Sequence, residues 1–357
     1  MKPKYAFIGI TLLLASCAPK SEVTAPPAPA KPIGAVVEIK APLGLPPVPL
    51  PADNPPTAET IALGRRLYFD KGLSVDNAIA CASCHDPEKG FSDASPNSAG
   101  VGGKRGDRNS PTVWNSAYNT LQFWDGRSPS LEKQAEGPVQ NPIEMANTLA
   151  AVEKKLSADP SYVTEFEKAY GPGPITYDKV GKAIASYERT VLTGNSPFDK
   201  YQFGGDKKAL SASAIRGLEI FRDAKKGNCV VCHTIEASHA LFTDNKFHNL
   251  GVGIDSKGEL KDLGRFKETN LEADKGAFKT PTLRNIAQTG PYMHDGSLKT
   301  LKDVVDFYVG GGSSNPHLDK EIKSLKLSKQ ERDDLEAFLV SLTGETPPNL
   351  GPPGGGN

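Results

Sequence analysis

The sequence has no net charge and no cysteine to spare for a disulfide bond. Its 357 residues carry 42 Lys+Arg and 42 Asp+Glu, a balance that does not favour nucleic-acid binding. Long hydrophobic runs are also missing, because the N-terminal one, from Tyr5 to Ala15, is too short for a membrane-spanning helix. Of the five cysteines, Cys17 stands alone and the other four form two C-x-x-C-H motifs.

The N-terminus has the pattern of an export signal. Lys2 and Lys4 precede the apolar run, and small residues end it. The sequence Leu14-Ala15-Ser16-Cys17 resembles a bacterial lipobox, which is cleaved before the cysteine and lipidated there. We therefore predict a signal peptide at residues 1–16 and a periplasmic protein tethered to the membrane through Cys17. A non-lipidated signal cut elsewhere is the alternative.

Proline and alanine dominate the next segment. Residues 17–56 include "APPAPAKP" and "LPPVPLPADNPP", a composition that predicts an extended, mobile spacer. The C-terminal residues 346–357 are similarly rich in Gly and Pro and are predicted to form a flexible tail. Folded domains are therefore expected between these two segments.

The two C-x-x-C-H motifs indicate covalently bound haem c. Cys81, Cys84 and His85 form the first, and Cys229, Cys232 and His233 form the second. In such a motif the thiols form thioether links and the histidine ligates the iron. A zinc site would need closely spaced pairs of ligands, whereas these pairs lie far apart in the chain. An exported protein whose core cysteines all lie in haem motifs is predicted to carry two haems.

A repeated helix precedes each motif. "ALGRRLYFD" and "IRGLEIFRD" both place a glycine, then an apolar residue, then an aromatic residue before the cysteines. This pattern is typical of the start of a cytochrome c domain. Further helices are predicted over Thr176–Leu192, after a cap at Thr300, and after the capping box that begins at Ser328.

Alternating strand patterns are rare, so the predicted fold is mainly α. We expect two cytochrome c-like haem domains packed with a haem–haem interface. The N-terminal domain spans residues 57–205 and the C-terminal domain spans residues 206–345.

Histidine is scarce where a second axial ligand for the first haem would be expected. The six histidines include none between the two haem motifs, and Met145 is the only local thioether. Unless Met145 or a residue of the other domain reaches over, the first iron keeps an open position. An open iron can bind peroxide, whereas a six-coordinate iron mainly transfers electrons.

Six further segments, taken in order, resemble the bacterial di-haem cytochrome c peroxidase family, and most closely its MauG-like branch. The segments are "RNSPTVWN" (108–115), "FWDGR" (123–127), "QAEGPVQNPIEM" (134–145), "FHNLGVG" (247–253), "KTPTLRN" (279–285) and "GPYMHDGSL" (290–298). The resemblance implies a peroxidatic haem in the first domain and an electron-transfer haem in the second.

The resemblance also implies roles for polar and aromatic residues near the first haem. Gln134 and Glu144 match the polar pair above the peroxidatic iron, and Glu144 would move a proton between the peroxide oxygens. Trp124 matches the indole that relays electrons between the haems. A helix cap at "QNPIEM" and an ordinary core tryptophan are the structural alternatives.

Two further sets of residues follow from the resemblance. Asn109, Thr289 and Pro291 match the inter-haem calcium ligands, the latter two through backbone oxygens. His248 and Arg284 are expected near the haem propionates or between the haems. Residues 99–107 contain no histidine, whereas many relatives carry a loop histidine that blocks the resting iron. A high-spin, open first haem is therefore expected without reductive activation.

The second haem is expected to differ from that of classical members. They place a methionine ligand 17 residues after the proline of "GPY", and Tyr308 occupies that position here, as in the MauG-like branch. A phenolate ligand favours ferric and higher oxidation states. The alternative is that Tyr308 is a core residue and Met293 or His294 is the ligand.

These features predict a di-haem peroxidase that uses hydrogen peroxide at the N-terminal haem. The Tyr-ligated haem would share or relay oxidising equivalents, and the electrons would come from a small cytochrome c or cupredoxin. One alternative is a MauG-like oxidase that modifies a partner protein. Members that do so carry a surface Trp two residues before the second motif, where this chain has Gly227. A non-catalytic di-haem electron carrier is the other alternative.

Overall fold

The computed structural model describes residues 30–354, together with Met1 and Pro3, and is mainly helical. Apart from Met1 and Pro3, the predicted signal peptide lies outside the described residues, and so does Cys17. The helices are α1 Ala58–Phe69, α2 Cys81–Cys84, α3 Leu131–Gln134, α4 Glu136–Gln140, α5 Leu149–Ser157, α6 Pro160–Tyr170, α7 Tyr177–Glu188, α8 Pro197–Gln202, α9 Ala212–Arg222, α10 Phe266–Thr269, α11 Leu301–Gly310 and α12 Lys329–Val340. Within the described ranges, none of them is long and apolar enough to cross a membrane.

The strands are minimal. β1 (Phe247–His248) and β2 (Phe278–Lys279) pair antiparallel, with Phe247 opposite Lys279. Short 3₁₀ turns connect many of the elements, and one of them, Cys229–Val231, carries the second haem motif. The prediction of a mainly α fold is confirmed.

A crossed pair of helices organises each half of the molecule. In the N-terminal half α1 packs against α7, and in the C-terminal half α9 packs against α12. A Cβ atom at Gly64 would lie 1.8 Å from the carbonyl oxygen of Ala183, and one at Gly217 would lie 2.0 Å from that of Asp334. The glycines of the repeated segments therefore allow the helix backbones to touch.

The capped helices begin where the sequence predicts. Thr176 accepts a hydrogen bond from the backbone of Lys179 at the start of α7. Capping boxes formed by Thr300 with Asp303 and by Ser328 with Glu331 open α11 and α12. These helices support two separate apolar cores, one in each half.

The two halves also share a turn with the same backbone conformation. Three pairs of residues with positive φ recur in order: Asn115 and Asn285, Phe123 and Met293, and Gly126 and Gly296. A β-bridge closes the turn in both halves, between Gln122 and Ser128 and between Tyr292 and Leu298. This turn places Trp124 in the first half and His294 in the second at corresponding positions.

The segment before α1 packs against both halves, which differs from the predicted mobile spacer. Leu45 is buried with Tyr118 and Leu192. The carbonyl oxygen of Gly44 accepts hydrogen bonds from the backbone of Ala240 (3.0 Å) and from Arg284 (2.6 Å). Residues 30–56 are therefore a strap across the domains, because a few apolar side chains and backbone carbonyls find partners that composition alone does not reveal.

The described part of the C-terminal tail is also anchored. Leu350 is buried in the N-terminal core, and its carbonyl oxygen accepts a hydrogen bond from the Tyr187 hydroxyl at 2.6 Å. Arg65 donates to the carbonyl oxygen of Gly351, also at 2.6 Å. Residues 346–354 thus return to the N-terminal domain instead of extending freely, although their Gly and Pro content predicts flexibility.

Candidate functional site

A cavity of about 430 Å³ runs between the two halves and is lined by both C-x-x-C-H motifs. Most of the predicted site residues also line it: Asn109, Trp124, Gln134, Glu144, His248, Thr289, Pro291 and Tyr308. The fold therefore brings both motifs and these side chains to one interior space.

Helix α1 helps to position the first motif. Cys81 and Cys84 are the first and last residues of α2, and the backbone N–H of His85 donates to the carbonyl oxygen of Cys81 at 3.0 Å. The hydroxyl of Tyr68, the aromatic residue of the repeated segment, donates to the carbonyl oxygen of His85 at 2.8 Å. The aromatic residue noted in the sequence thus ties the first helix to the histidine.

The second motif forms a tight turn with an oriented imidazole. The backbone N–H of His233 donates to the carbonyl oxygen of Cys229 at 2.9 Å. Nδ1 of His233 lies 2.8 Å from the carbonyl oxygen of Phe242, which leaves Nε2 available as a ligand. Metal-ligating histidines commonly donate their other ring N–H to a backbone carbonyl in this way.

Burial shifts the pKa values of side chains in both motifs. Desolvation raises the pKa of the Cys81 thiol and raises that of Cys229 to about 12. It lowers the pKa of both His85 and His233 below the usual value. Neutral imidazoles and an apolar cavity wall fit two histidine-ligated haems of the c type.

Glu144 and Gln134 lie in the cavity wall beside the first motif. Asn141 donates a hydrogen bond to Oε1 of Glu144 at 2.7 Å. Burial raises the pKa of Glu144 above its usual value, while nearby Arg127 and the Asn141 hydrogen bond act to lower it. The carboxyl group can therefore exchange a proton inside the cavity.

The glycine-rich loop at residues 99–107 closes against the Glu144 segment. The backbone N–H of Val101 donates to the carbonyl oxygen of Glu144 at 2.8 Å. A Cβ atom at Gly100 would lie 2.0 Å from the carbonyl oxygen of Ile143, so this contact requires glycine. Met145 is buried in the apolar core and also borders the cavity.

Trp124 bridges the two halves. Its indole N–H donates to the carbonyl oxygen of Asn109 at 2.9 Å, and its own carbonyl oxygen accepts from the backbone of Lys279 at 2.8 Å. Lys279 belongs to β2 in the C-terminal half. The indole is therefore fixed at the domain interface and faces the shared cavity.

Tyr308 lies near the second motif, at the cavity end of α11. Desolvation raises the pKa of its phenol, and the thiols of Cys229 and Cys232 are the neighbouring groups that act in the same direction. Met293 and His294 border the cavity too. His294 stacks on Phe278 with the ring centroids 3.6 Å apart, a contact that occupies one face of its ring.

The three residues of the predicted calcium site all border the cavity. Asn109 uses its side-chain nitrogen to donate to the carbonyl oxygens of Ser95 (3.1 Å) and Pro96 (3.2 Å). No protein donor among the described residues contacts its Oδ1 atom. Amide and carbonyl oxygens suit a hard cation.

His248 lies between two carboxylates on the cavity wall. Its Nδ1 is 2.6 Å from Asp319, and its Nε2 is 3.0 Å from Asp244. The hydrogen bond with Asp244 is the main cause that raises the pKa of His248 to about 11. Both ring nitrogens are engaged within the protein, whereas the sequence predicts contact with a haem propionate or the region between the haems.

Arg284 lies outside the cavity wall, which differs from its predicted position near the haems. Its guanidinium forms a bidentate pair with Asp199, with both N–O distances 2.9 Å, and both side chains are at most 1% exposed. Its remaining contacts are the carbonyl oxygens of Ala240 and Gly44. Four of its five N–H groups are thus used within the protein, and its role is structural.

Sequence reasoning missed two charged features of the cavity. Glu188, at the end of α7, borders it near Cys81, and burial raises the pKa of Glu188 to about 8. Arg108 joins Asp125 of its own half to Asp262 of the other half, at 2.5 and 2.7 Å. For the ion pairs of Arg108, the signal in the sequence was the presence of charged residues in "RNSPTVWN" and "FWDGR". The sequence does not show that Arg108 also meets Asp262, which is distant in the chain.

Comparison with known proteins agrees with this geometry. Residues 58–208 match the family model for di-haem cytochrome c peroxidase, and residues 214–343 match that for cytochrome c. The methylamine utilization protein MauG of Methylorubrum extorquens is 40% identical over 299 residues, which cover 84% of this chain and 82% of MauG. The cytochrome c551 peroxidase of Nitrosomonas europaea is 38% identical and covers 84% of each chain.

The structural comparison leads to the same group. The crystal structure of a MauG-like protein associated with microbial copper homeostasis superposes with a TM-score of 0.76 at 34% identity, covering 85% of this chain and 95% of that one. Both matched models are consistent with the two haem motifs on the cavity wall. The chain belongs to the di-haem cytochrome c peroxidase family, a group of oxidoreductases with covalently bound haem c that includes MauG.

Proposed function

We propose that this protein reduces hydrogen peroxide at its N-terminal haem and that the C-terminal haem, ligated by Tyr308, shares or relays oxidising equivalents. The observation that carries the proposal is the Glu144 carboxyl group, which is held by Asn141 in the cavity wall beside Cys84. Near the second motif, the cavity presents the phenol of Tyr308 instead. The two ends of the cavity therefore present different functional groups, a carboxyl group beside the first motif and a phenol beside the second.

The residues at the first end can carry the proton steps. Reduction of H₂O₂ to two water molecules breaks the O–O bond and consumes two electrons and two protons, and the bound haems supply the electrons. Glu144 accepts a proton from one oxygen atom of the peroxide and returns it to the other oxygen atom, which leaves as water. The Gln134 amide, on the same wall, can hydrogen-bond the peroxide and orient it.

Trp124 is proposed as the electron relay between the two haems. The indole spans the interface through Asn109 and Lys279, so its position is tied to both halves. A small cytochrome c or cupredoxin is proposed as the electron donor. Two electrons from the donor replace the two electrons that each peroxide molecule removes from the protein.

Oxidation of a partner protein through a tryptophan before the second motif is disfavoured here. A Cβ atom at Gly227 would lie 2.5 Å from the carbonyl oxygen of Ile220, and the backbone N–H of Gly227 donates to that same oxygen. A tryptophan at this position would require the backbone to move. Peroxide reduction with a small donor protein is therefore the favoured function over that route.

The proposal is tested by spectroscopy of the ferric di-haem protein with and without peroxide. We expect a high-spin component from the first haem at rest, and an absorbance change on adding H₂O₂ that reverses when a reduced donor is added. A resting spectrum that contains only low-spin iron, with no response to peroxide, would instead identify an electron carrier.

Replacing Tyr308 by Phe is expected to alter the second haem alone. Removal of the phenol oxygen takes away the proposed axial ligand, so the low-spin signal of that haem should shift or become high-spin, and its reduction potential should change. Electron paramagnetic resonance of the ferric protein measures this directly, with Tyr292→Phe, whose hydroxyl donates to Ile286, as the control. An unchanged spectrum would assign the ligand to Met293 or His294.

We also propose a calcium ion at Asn109, Thr289 and Pro291, since Oδ1 of Asn109 has no protein donor among the described residues and all three border the cavity.

The periplasm, with a lipid anchor at Cys17, is the proposed location. It is supported by the export-type N-terminus and by the assignment of all other cysteines to haem motifs.

A further inference from the structure

His248 and Arg284, the cations expected near the haem propionates or between the haems, are both used within the protein. His248 lies between Asp244 and Asp319, and Arg284 is paired with Asp199 outside the cavity wall. A haem carries carboxylates on its propionate side chains, and a carboxylate in a largely enclosed cavity needs a cation or hydrogen-bond donors beside it. The propionates therefore need partners from other residues.

Lys279, in β2, is a buried cation on the wall of the same cavity and is 7% exposed. Its Nζ atom donates to Oδ1 of Asn119 at 3.3 Å and to the carbonyl oxygen of Thr280 at 3.2 Å. Both acceptors are neutral, and no carboxylate among the described residues lies within salt-bridge distance of Nζ. Asp244 is the carboxylate whose charge reaches Lys279, but it is hydrogen-bonded to His248 at 3.0 Å. An ammonium group has three N–H donors, so its charge and one donor have no partner in this part of the chain.

The other cations on the cavity wall are paired or exposed. Arg108, Arg127 and His248 each contact one or two aspartates. Lys323 borders the cavity but is exposed to solvent, which stabilises its charge. Of the arginines and lysines that border the cavity within the described ranges, Lys279 is thus the buried one without a counterion.

Lys279 also belongs to a reciprocal contact between the two halves. The segments that begin with "NSPT" at Asn109 and with "KTPT" at Lys279 have the same length and end in the paired asparagines with positive φ. The backbone N–H of Asn109 donates to the carbonyl oxygen of His294 at 2.7 Å, and that of Lys279 donates to the carbonyl oxygen of Trp124 at 2.8 Å. Trp124 and His294 are themselves corresponding residues, so Asn109 and Lys279 occupy equivalent positions at the interface.

These equivalent positions are both organised around positive charge. Asn109 presents an amide oxygen that no protein donor contacts among the described residues, and it is a proposed ligand for calcium. Lys279 brings a cation of its own, and its ammonium group reaches Asn119 of the first half, so the charge lies at the interface itself. This arrangement suits an anionic group that approaches the interface from the cavity.

We propose that Lys279 binds a haem propionate at the interface between the two halves and neutralises its charge. The propionate belongs to a covalently bound cofactor whose two attachment motifs border the same cavity as Lys279. Because the backbone N–H of Lys279 holds the carbonyl oxygen of Trp124, one residue then positions both a haem and the indole. Only this last step rests on the proposed relay role of Trp124, whereas the propionate contact does not.

A crystal structure of the di-haem holoprotein tests the contact directly. We expect Nζ of Lys279 to lie about 2.7–3.2 Å from a propionate oxygen of one haem. Resonance Raman bands of the propionate groups should shift in Lys279→Gln, because a charge-assisted hydrogen bond is lost. A wild-type holoprotein in which Nζ pairs with Asp244, or lies more than about 4 Å from every propionate oxygen, would overturn the proposal.

The reduction potentials of the haems provide a second readout, which a purely structural lysine would not move. A cation close to a haem favours the ferrous form, since that form carries one positive charge less, so removal of the cation should lower the potential. In Lys279→Gln we expect the equilibrium constant for one-electron reduction of one haem to fall about tenfold, which corresponds to about 59 mV. Spectroelectrochemical titration of both haems identifies the haem that carries the propionate.

Two further variants serve as controls. Lys279→Arg keeps the charge and should change the reduction equilibrium of either haem by less than about twofold. Lys323→Gln removes an exposed cation from the same cavity wall and should also have an effect below about twofold, because solvent screens that charge. Unchanged potentials and unchanged propionate bands in a folded Lys279→Gln variant with both haems attached would overturn the proposal. None of these measurements uses peroxide, so failure of the proposed peroxidase function would not alter their interpretation.

Discussion

Replacing Glu144 by Gln is expected to slow the reaction of the ferric protein with hydrogen peroxide by about 10²–10⁴-fold, the usual contribution of a positioned general acid–base group. Glutamine keeps the size and the contact with Asn141 but cannot accept a proton from peroxide. Stopped-flow absorbance under single-turnover conditions measures the rate constant. The resting spectra of both haems should remain unchanged, because Glu144 is not a proposed ligand.

The pH dependence provides an independent check on the same variant. In the wild type the rate should fall as pH decreases through the raised pKa of Glu144, because the carboxylate is lost there. In Glu144→Gln this step of the profile should disappear. Glu136→Gln is the matched control, since Glu136 pairs with Lys133 at 2.8 Å on the surface. A rate close to that of the wild type in Glu144→Gln would assign the proton transfer to another group, such as the buried Glu188.

Local chemistry explains what could be predicted from the sequence. The helix caps at Thr300 and Ser328 act within a few residues, and they form as predicted. The C-x-x-C-H motifs likewise combine attachment and ligation in five consecutive residues. Glycine at position 64 belongs to the repeated segment that predicts the start of a cytochrome c domain, but the close helix contact that it allows is seen only in the structure.

Contacts between distant parts of the chain account for the differences. The proline-rich segment has the composition of a spacer, yet Leu45 finds a pocket made by Tyr118 and Leu192, which follow it by many residues. Arg284 occupies a family motif and was expected at the haems. Its partner Asp199 lies on a helix that nothing in the sequence connects to it. Single-sequence patterns report periodicity and caps, but not which charged groups meet.

The internal repeat shows how two similar halves can take different roles. The shared turn presents Trp124 in the first half and His294 in the second. The indole donates to a backbone carbonyl across the interface, whereas the imidazole stacks on Phe278. The same backbone therefore presents a proposed electron relay on one side and an imidazole stacked on Phe278 on the other.

Asp199→Asn is expected to lower the free energy of unfolding by about 3–5 kcal/mol, the typical cost of breaking a buried ion pair and leaving one charge unpaired. Asp199 is fully buried and contacts Arg284 through both carboxylate oxygens. The same guanidinium holds the carbonyl oxygens of Gly44 and Ala240. One substitution therefore weakens the contacts of Arg284 with α8, with the strap at Gly44 and with the loop at Ala240 together.

Denaturant unfolding of the holoprotein, followed by far-ultraviolet circular dichroism, measures this loss. Asp333→Asn is the control, because Asp333 forms an exposed pair with Lys329 and should change the free energy of unfolding by at most about 0.5 kcal/mol. The haem spectra of folded Asp199→Asn should match the wild type, since Arg284 does not border the cavity. A stability loss below about 1 kcal/mol, or an altered haem spectrum in the folded variant, would contradict a purely structural role for this ion pair.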